Sequence, residues 1–266
     1  MNAPPRVAVL SHSRCGARGL RRLLAIFVAG TDIGDTPFAP AAPGGQALPG
    51  FAAAVDRDGP AAALARALAG GPFFSHRFDL HAPEFNRALL DALATQGYRT
   101  VLIERASRVE RITSALLAQA LDLPTPEAVA ALRERLRAGA ATVPRFAPAR
   151  LDAAVRDDGA SRRWLAQHLP AAGRPAQAVE FDALFRSGLG ALAVLDRLVA
   201  SLGLGARAAR LNDSSVLAAI AVGGCHTLSL LQHASGLREA RQGIAARVAA
   251  QDDGPSAGDA VANRTH

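Results

Sequence analysis

A chain of 266 residues, 50% of them hydrophobic, can bury a substantial core and suits one large domain or one domain with a small appendage. The formal charge of +7 favours an anionic partner in general terms, but the cations are scattered among acids and aromatics make up only 5%, which argues against nucleic acid. Lysine is absent and all 30 cationic residues are Arg, so no amine side chain can form a Schiff base. Every cationic role falls to a planar group that grips phosphate through paired N–H donors. Cys15 and Cys225 are far apart in sequence, which argues against a disulfide framework or a cysteine-rich metal site. The start, Met1-Asn2-Ala3-Pro4-Pro5-Arg6, has no signal pattern and no apolar run is long enough for a membrane span, so the cytoplasm is the expected location.

Val7-Ala8-Val9-Leu10 is a continuous apolar run of the kind found in a buried parallel strand. A polar, glycine-containing segment over 11–18 follows, then a helix over 19–27 stopped near Gly30. Residues 31–50, rich in Pro, Gly and Ala, read as a long connection. Gly59-Pro60 opens a helix ending at Gly70-Gly71. Residues 73–80 predict a second strand, followed by a helix through Leu93 that Gly97 ends, and 100–103 predict a third strand. Arg-rich helix spans about 107–121, and Thr125-Pro126 starts another with Thr as cap and Pro in the first turn. Helix continues over about 151–169, a fourth strand is predicted at 178–181, and amphipathic helix at 188–202. Strands separated by helices imply a parallel sheet covered on both faces, a three-layer α/β fold. One domain is expected over 1–250, with a polar, disordered tail over 251–266.

The turn between the first strand and helix presents backbone N–H groups and a helix dipole to an anion. Gly16 would allow close backbone approach, and Arg14 and Arg18 would add charge. The loop lacks the Gly-Lys-Ser/Thr end of a Walker A motif, and Gly16 and Gly19 do not form a G-x-G-x-x-G array. An ordinary βα turn with solvated arginines would look the same.

Arg14-Cys15-Gly16-Ala17-Arg18-Gly19-Leu20 resembles the 5′-phosphosulfate loop of sulfotransferases that use 3′-phosphoadenosine-5′-phosphosulfate (PAPS). That loop commonly reads Arg-Ser-Gly-Ser/Thr-Thr/Ser-Leu; here the hydroxyl positions carry Cys15, Ala17 and Arg18. Val101-Leu102-Ile103-Glu104-Arg105, with Arg108, Arg111 and Ser114 after it, is similar to the family's 3′-phosphate motif, in which a strand ends in Arg and a Ser follows on the next helix. The spacing from Arg105 leaves Thr113 as an alternative partner. Residues 73–79, Ala178-Val179-Glu180-Phe181-Asp182-Ala183-Leu184, Ala200-Ser201-Leu202-Gly203-Leu204 and Arg210-Leu211-Asn212 resemble further family segments in the family's order, covering roughly residues 5–235.

The resemblance implies a P-loop-like sulfotransferase architecture, PAPS as cofactor with adenosine 3′,5′-bisphosphate as product, no metal, and a small-molecule or glycan acceptor. It places Arg14, Cys15, Gly16, Ala17, Arg18 and Gly19 at the 5′ end and Arg105 with Ser114 or Thr113 at the 3′ phosphate. Sulfuryl transfer needs a base for the acceptor hydroxyl and cations for the leaving phosphate. His76 and His81 are the candidate bases, Asp79 and Glu84 are neighbours that could orient or replace them, and His12 beside the loop could contact donor or acceptor. His168, His226 and His233 show no metal-ligand spacing. A second reading is a catalytically inactive sulfotransferase-like binding or assembly protein, supported by the missing hydroxyls. A phosphatase loop runs Cys, five residues, then Arg, which Cys15 and Arg21 match in spacing alone; a kinase could use Glu104 on magnesium but would lack its phosphate-loop Lys. Neither the acceptor nor the oligomeric state, a homodimer included, can be read from the chain. The apolar stretch 216–231 suits core better than a self-association face.

Overall fold

A computed structural model describes residues 5–28, 32–38, 48–121, 126–143, 145–169, 176–186, 188, 190–204, 210–211, 213–223, 230 and 235–252. Five parallel strands form the central sheet: β1 (Val7–Ser11), β2 (Asp32–Asp35), β3 (Phe73–Arg77), β4 (Arg99–Glu104) and β5 (Gln177–Glu180), in the spatial order β2-β3-β1-β4-β5. Helices cover both faces, as parallel strands require. The expected strands at 73–80 and 178–181 are shorter than read: Phe78–Leu80 turn into a 3-10 helix, and Phe181 starts a short helix.

The connection expected over 31–50 contains β2, an edge strand that the sequence reading missed. Asp32-Ile33-Gly34-Asp35 has no apolar run, and its pairing with β3 shifts register between Asp32 and Asp35. An edge strand gains ladder hydrogen bonds on one side only and tolerates such polar composition.

Alternation along β1 explains why its whole length is buried. Val7 and Val9 face α1 (Ala17–Ala25), α9 (Gly190–Ser201) and α10 (Ser214–Gly223) in one core, with Leu20, Leu23, Leu195 and Val216. Ala8 and Leu10 face α3 (Pro60–Ala69) and α4 (Pro83–Thr95) in another, with Leu64, Leu68, Leu89 and Phe74. Tyr98, entering β4, is 1% exposed and donates its hydroxyl proton to the Leu68 and Gly71 carbonyl oxygens, tying α3 to the sheet.

A further helical cluster surrounds the helix that follows β4. Here α5 (Arg108–Ala120) carries Ile112 and Leu116 against Leu151 and Val155 of α7 (Pro148–His168) and against Ile244 and Val248 of α11 (Ser235–Asp252). Leu117 joins Val129 and Leu132 of α6 (Pro126–Arg137) and Leu237. The expected disordered tail begins too early: Gln251 and Asp252 complete α11, and both accept from the Arg108 guanidinium. Residues 253–266 lie outside the described residues, as do Cys225, His226, His233 and Asn212.

Candidate functional site

The carboxyl ends of the strands open into a cavity of about 1370 Å³ lined from the β1–α1 loop, the ends of β2, β3 and β4, and faces of α5 and α7. Parallel α/β sheets place ligands at this edge. Of the expected nucleotide-binding residues, Arg14, Gly16, Ala17, Arg18, Gly19, Arg105 and Ser114 line it; Cys15 and Thr113 do not.

The β1–α1 loop is held open by two left-handed residues, Arg14 at φ 67° and Gly16 at φ 85°. Arginine adopts this conformation at a cost, whereas glycine does so freely. Gly16 is also fixed by packing: a Cβ there would stand 2.3 Å from the Phe181 ring. Gly16 is the N-cap of α1 and supplies no side-chain acceptor, so the helix dipole faces the cavity uncapped by a hydroxyl. Arg18 donates from Nε and Nη2 to Asp35 Oδ2, both at 3.2 Å.

The second cationic wall comes from the junction of β4 with α5, next to β1 in the sheet. Ser107 caps α5 by accepting from the Glu110 N–H at 3.2 Å, which sets the helix cap two residues after Arg105, itself the first residue past β4. Arg105 is 5% exposed; its guanidinium stands 4.9 Å above the Phe181 ring and 3.7 Å from Glu110. Arg111, one turn into α5, pairs with Asp158 of α7, and Ser114 follows on the same face. Burial lowers the Arg105 and Arg111 pKa values, Arg105 against the opposing pull of Glu110 and Asp182. Thr113 turns instead to its own helix and donates to the Val109 carbonyl at 2.7 Å, which leaves Ser114 as the hydroxyl on the cavity wall. Phe181 therefore touches both walls, through Gly16 and through Arg105.

The two candidate bases differ in access. His76 is wholly buried, its Nε2 is 2.9 Å from Asn86 Oδ1, and it does not line the cavity. Burial, with His81 and Arg77 nearby, lowers its pKa to about 3. His81 does line the cavity, stacked on Phe85 at 4.7 Å, and burial and Arg77 lower it to about 4. His12, the first residue after β1, also lines the cavity; its Nε2 is 2.9 Å from Ser161 Oγ on α7. Burial and Arg111 lower it to about 4, with Asp79 pulling the other way. All three imidazoles are neutral at pH 7. Cys15 is buried and its thiol is pushed up to about 11 by burial, so it is not a thiolate nucleophile at neutral pH.

What the sequence reading missed is the network at the other side of β1. Asp35, 7% exposed at the end of β2, accepts from Ser75 Oγ at 2.7 Å and from Arg18. Burial alone would raise its pKa, but Arg77, Ser75 and Arg18 outweigh it and hold the carboxyl below its ordinary value. Asp79, retained by the sequence reading only as a neighbour of the histidines, accepts from the Ser13 N–H at 2.9 Å and braces the loop. Among the described residues no group of three His, Cys, Asp or Glu could hold a metal ion, and no helix is long and apolar enough to cross a membrane.

No protein family, characterised protein or solved structure matches this chain.

Proposed function

We propose that this protein binds PAPS and transfers its sulfuryl group to a hydroxyl of a small molecule or glycan, on a P-loop-like sulfotransferase architecture. The observation that carries the reading is that two arginine-bearing strand–helix junctions, on the adjacent strands β1 and β4, open into one cavity. A nucleotide with phosphates at both ends of its ribose needs two such grips at a short separation. In this reading Arg14, Arg18 and the N–H groups at the start of α1 hold the 5′ end, and Arg105 with Ser114 holds the 3′ phosphate. The cavity exceeds the roughly 300–1,000 Å³ common for single-ligand pockets, leaving room for donor and acceptor together.

His81 is the candidate base better placed to meet an acceptor, since it lines the cavity and is neutral at pH 7. His76 supports it from the core, 4.7 Å away between ring centres. One observation favours the inactive binding-protein reading: the positions that carry loop hydroxyls in the family hold the buried Cys15 and Ala17 here.

Calorimetric titration with adenosine 3′,5′-bisphosphate, with ATP and AMP as controls, tests the donor site. Selective binding is expected. Replacing Arg105 with Ala should weaken it by about 1.5–3 kcal/mol, the range for charged hydrogen bonds. An unchanged affinity in that variant removes the 3′-phosphate assignment, and no binding by the wild type removes the donor reading. Selective binding without sulfuryl transfer to any hydroxyl acceptor favours the inactive protein.

A further inference from the structure

Arg77 ends β3 on the side of β1 opposite to β4. Neighbouring strands lie about 4.8 Å apart, so a ligand stretched from the β1 loop to the β4 junction leaves the β3 side to something else. Arg77 lines the cavity there. Its Nε donates to Thr36 Oγ1 at 2.9 Å. Its Nη2 has no hydrogen-bond partner among the described residues and stands 3.9 Å from Asp35 Oδ2.

Asp35 cannot move closer without giving up other bonds. Its Oδ2 receives both Arg18 donors, and its Oδ1 receives Ser75 and, at 3.3 Å, Thr36. One carboxylate thus serves two guanidiniums, Arg18 and Arg77, and a third lies close by. Arg14 is pushed down to about 10 by burial and by the like charges of Arg77 and Arg18. The arrangement is held under strain: Thr36, which fixes Arg77, sits at φ 55°, a left-handed conformation that a β-branched residue adopts only when its surroundings impose it. Arginines crowded at a cavity wall, with one of them keeping an unused donor, are arranged to receive an anion with several acceptor oxygens.

We propose that Arg77 forms a second oxyanion subsite on the β3 side of the cavity, beside the donor's Arg14 and Arg18, and that it takes a carboxylate, phosphate or sulfate group carried by the acceptor. The subsite stands on the Arg77 geometry alone; its assignment to the acceptor rests on the donor reading above. The acceptor is then an anionic hydroxy compound, such as an acidic sugar or a hydroxy acid, rather than a neutral one. His81 and Asp79, on the segment after β3, line the same cavity.

The test is titration of inorganic sulfate into the full chain, free and saturated with PAPS, for wild type, Arg77→Gln and Arg77→Lys. Wild type should bind sulfate in both states. Arg77→Gln should weaken sulfate at least about tenfold, as expected for loss of a charged donor pair. Arg77→Lys, which keeps the charge but not the fork, should retain part of the affinity, and PAPS affinity should be the same in all three. Thermal melts confirm that each variant is folded; if Arg77→Gln is not, the Lys variant carries the comparison alone. Absence of sulfate binding, or equal binding by every folded variant, overturns the subsite. Displacement of the Arg77-dependent sulfate by PAPS, or a fall in PAPS affinity on changing Arg77, moves the residue to the donor end and overturns the acceptor assignment. Arg77-dependent sulfate binding in a protein that does not bind PAPS leaves the subsite standing and overturns the donor reading instead.

Discussion

At the residue scale, Gly16 is the position where backbone and packing demands coincide. Its left-handed φ and the Phe181 ring both exclude a side chain. Gly16→Ala should lower stability by roughly 1–3 kcal/mol, the cost of strain plus overpacking, and should loosen the nucleotide loop; urea unfolding measures the first and calorimetry the second. The neutral histidines make a separate statement about pH. His12, His76 and His81 have folded-state values of about 4, 3 and 4, against an ordinary 6.5. Between these limits the unfolded chain binds more protons than the folded one, so stability is complete above pH 6.5 and declines as pH falls toward 4. The urea midpoint should therefore drop between pH 7 and pH 4.5. His76→Gln, though less stable overall, should flatten that slope, and an unaltered slope would show that His76 is not among the groups responsible. Little of this was legible in the sequence. Nothing in the string Phe-Phe-Ser-His-Arg tells that His76 points into the core while Arg77 ends at the cavity, because the alternation of a strand does not say which face is covered.

At the element scale, β1 and β4 could be read directly from their apolar runs and β3 from Phe73-Phe74, since all three are buried on both faces. β2 could not. Its stabilisation comes from pairing with β3 and from Asp32 accepting from Gly34 N–H and pairing with Arg21, none of which leaves a hydrophobic pattern. Missing β2 hid the Asp35 network as well, because Asp35 and Arg77 meet only through the β2–β3 pairing. The cationic ends of β1 and β4 were legible because each belongs to one contiguous segment. α11 was also passed over: its Gly236 and Gly243 weaken the helical signal, and its apolar stripe has meaning only against α5 and α7. Ile244 is fully buried in that contact, so Ile244→Ala should destabilise the protein by about 2–5 kcal/mol in urea or thermal unfolding. Arg108, which ties α5 to α7 and α11 through Asp158, Gln251 and Asp252, makes the same helix part of the wall behind Arg111.

At the scale of the whole molecule, the sheet order sets the division of labour. β1 is central, and its loop faces β4 on one side and β3 on the other. Six guanidiniums line a single cavity at that one edge. Anion binding there should weaken as salt rises, since ions screen the parts of the cavity open to solvent. Titrations of adenosine 3′,5′-bisphosphate at 20 mM and 500 mM chloride should differ by about tenfold or more. An affinity independent of salt would mean that the arginines spend their charge on their protein partners, Asp35, Glu110 and Asp158, and not on a ligand.

The buried Cys15 has a kinetic use that follows from its place beneath the loop. A thiol 1% exposed and protonated up to about pH 11 reacts with an alkylating reagent only when its surroundings open. Its labelling rate, followed on the peptide that contains it, thus clocks excursions of the loop away from Phe181. A ligand that clamps the loop should slow that clock in proportion to its occupancy, so candidate donors and acceptors can be ranked by protection before any product is known.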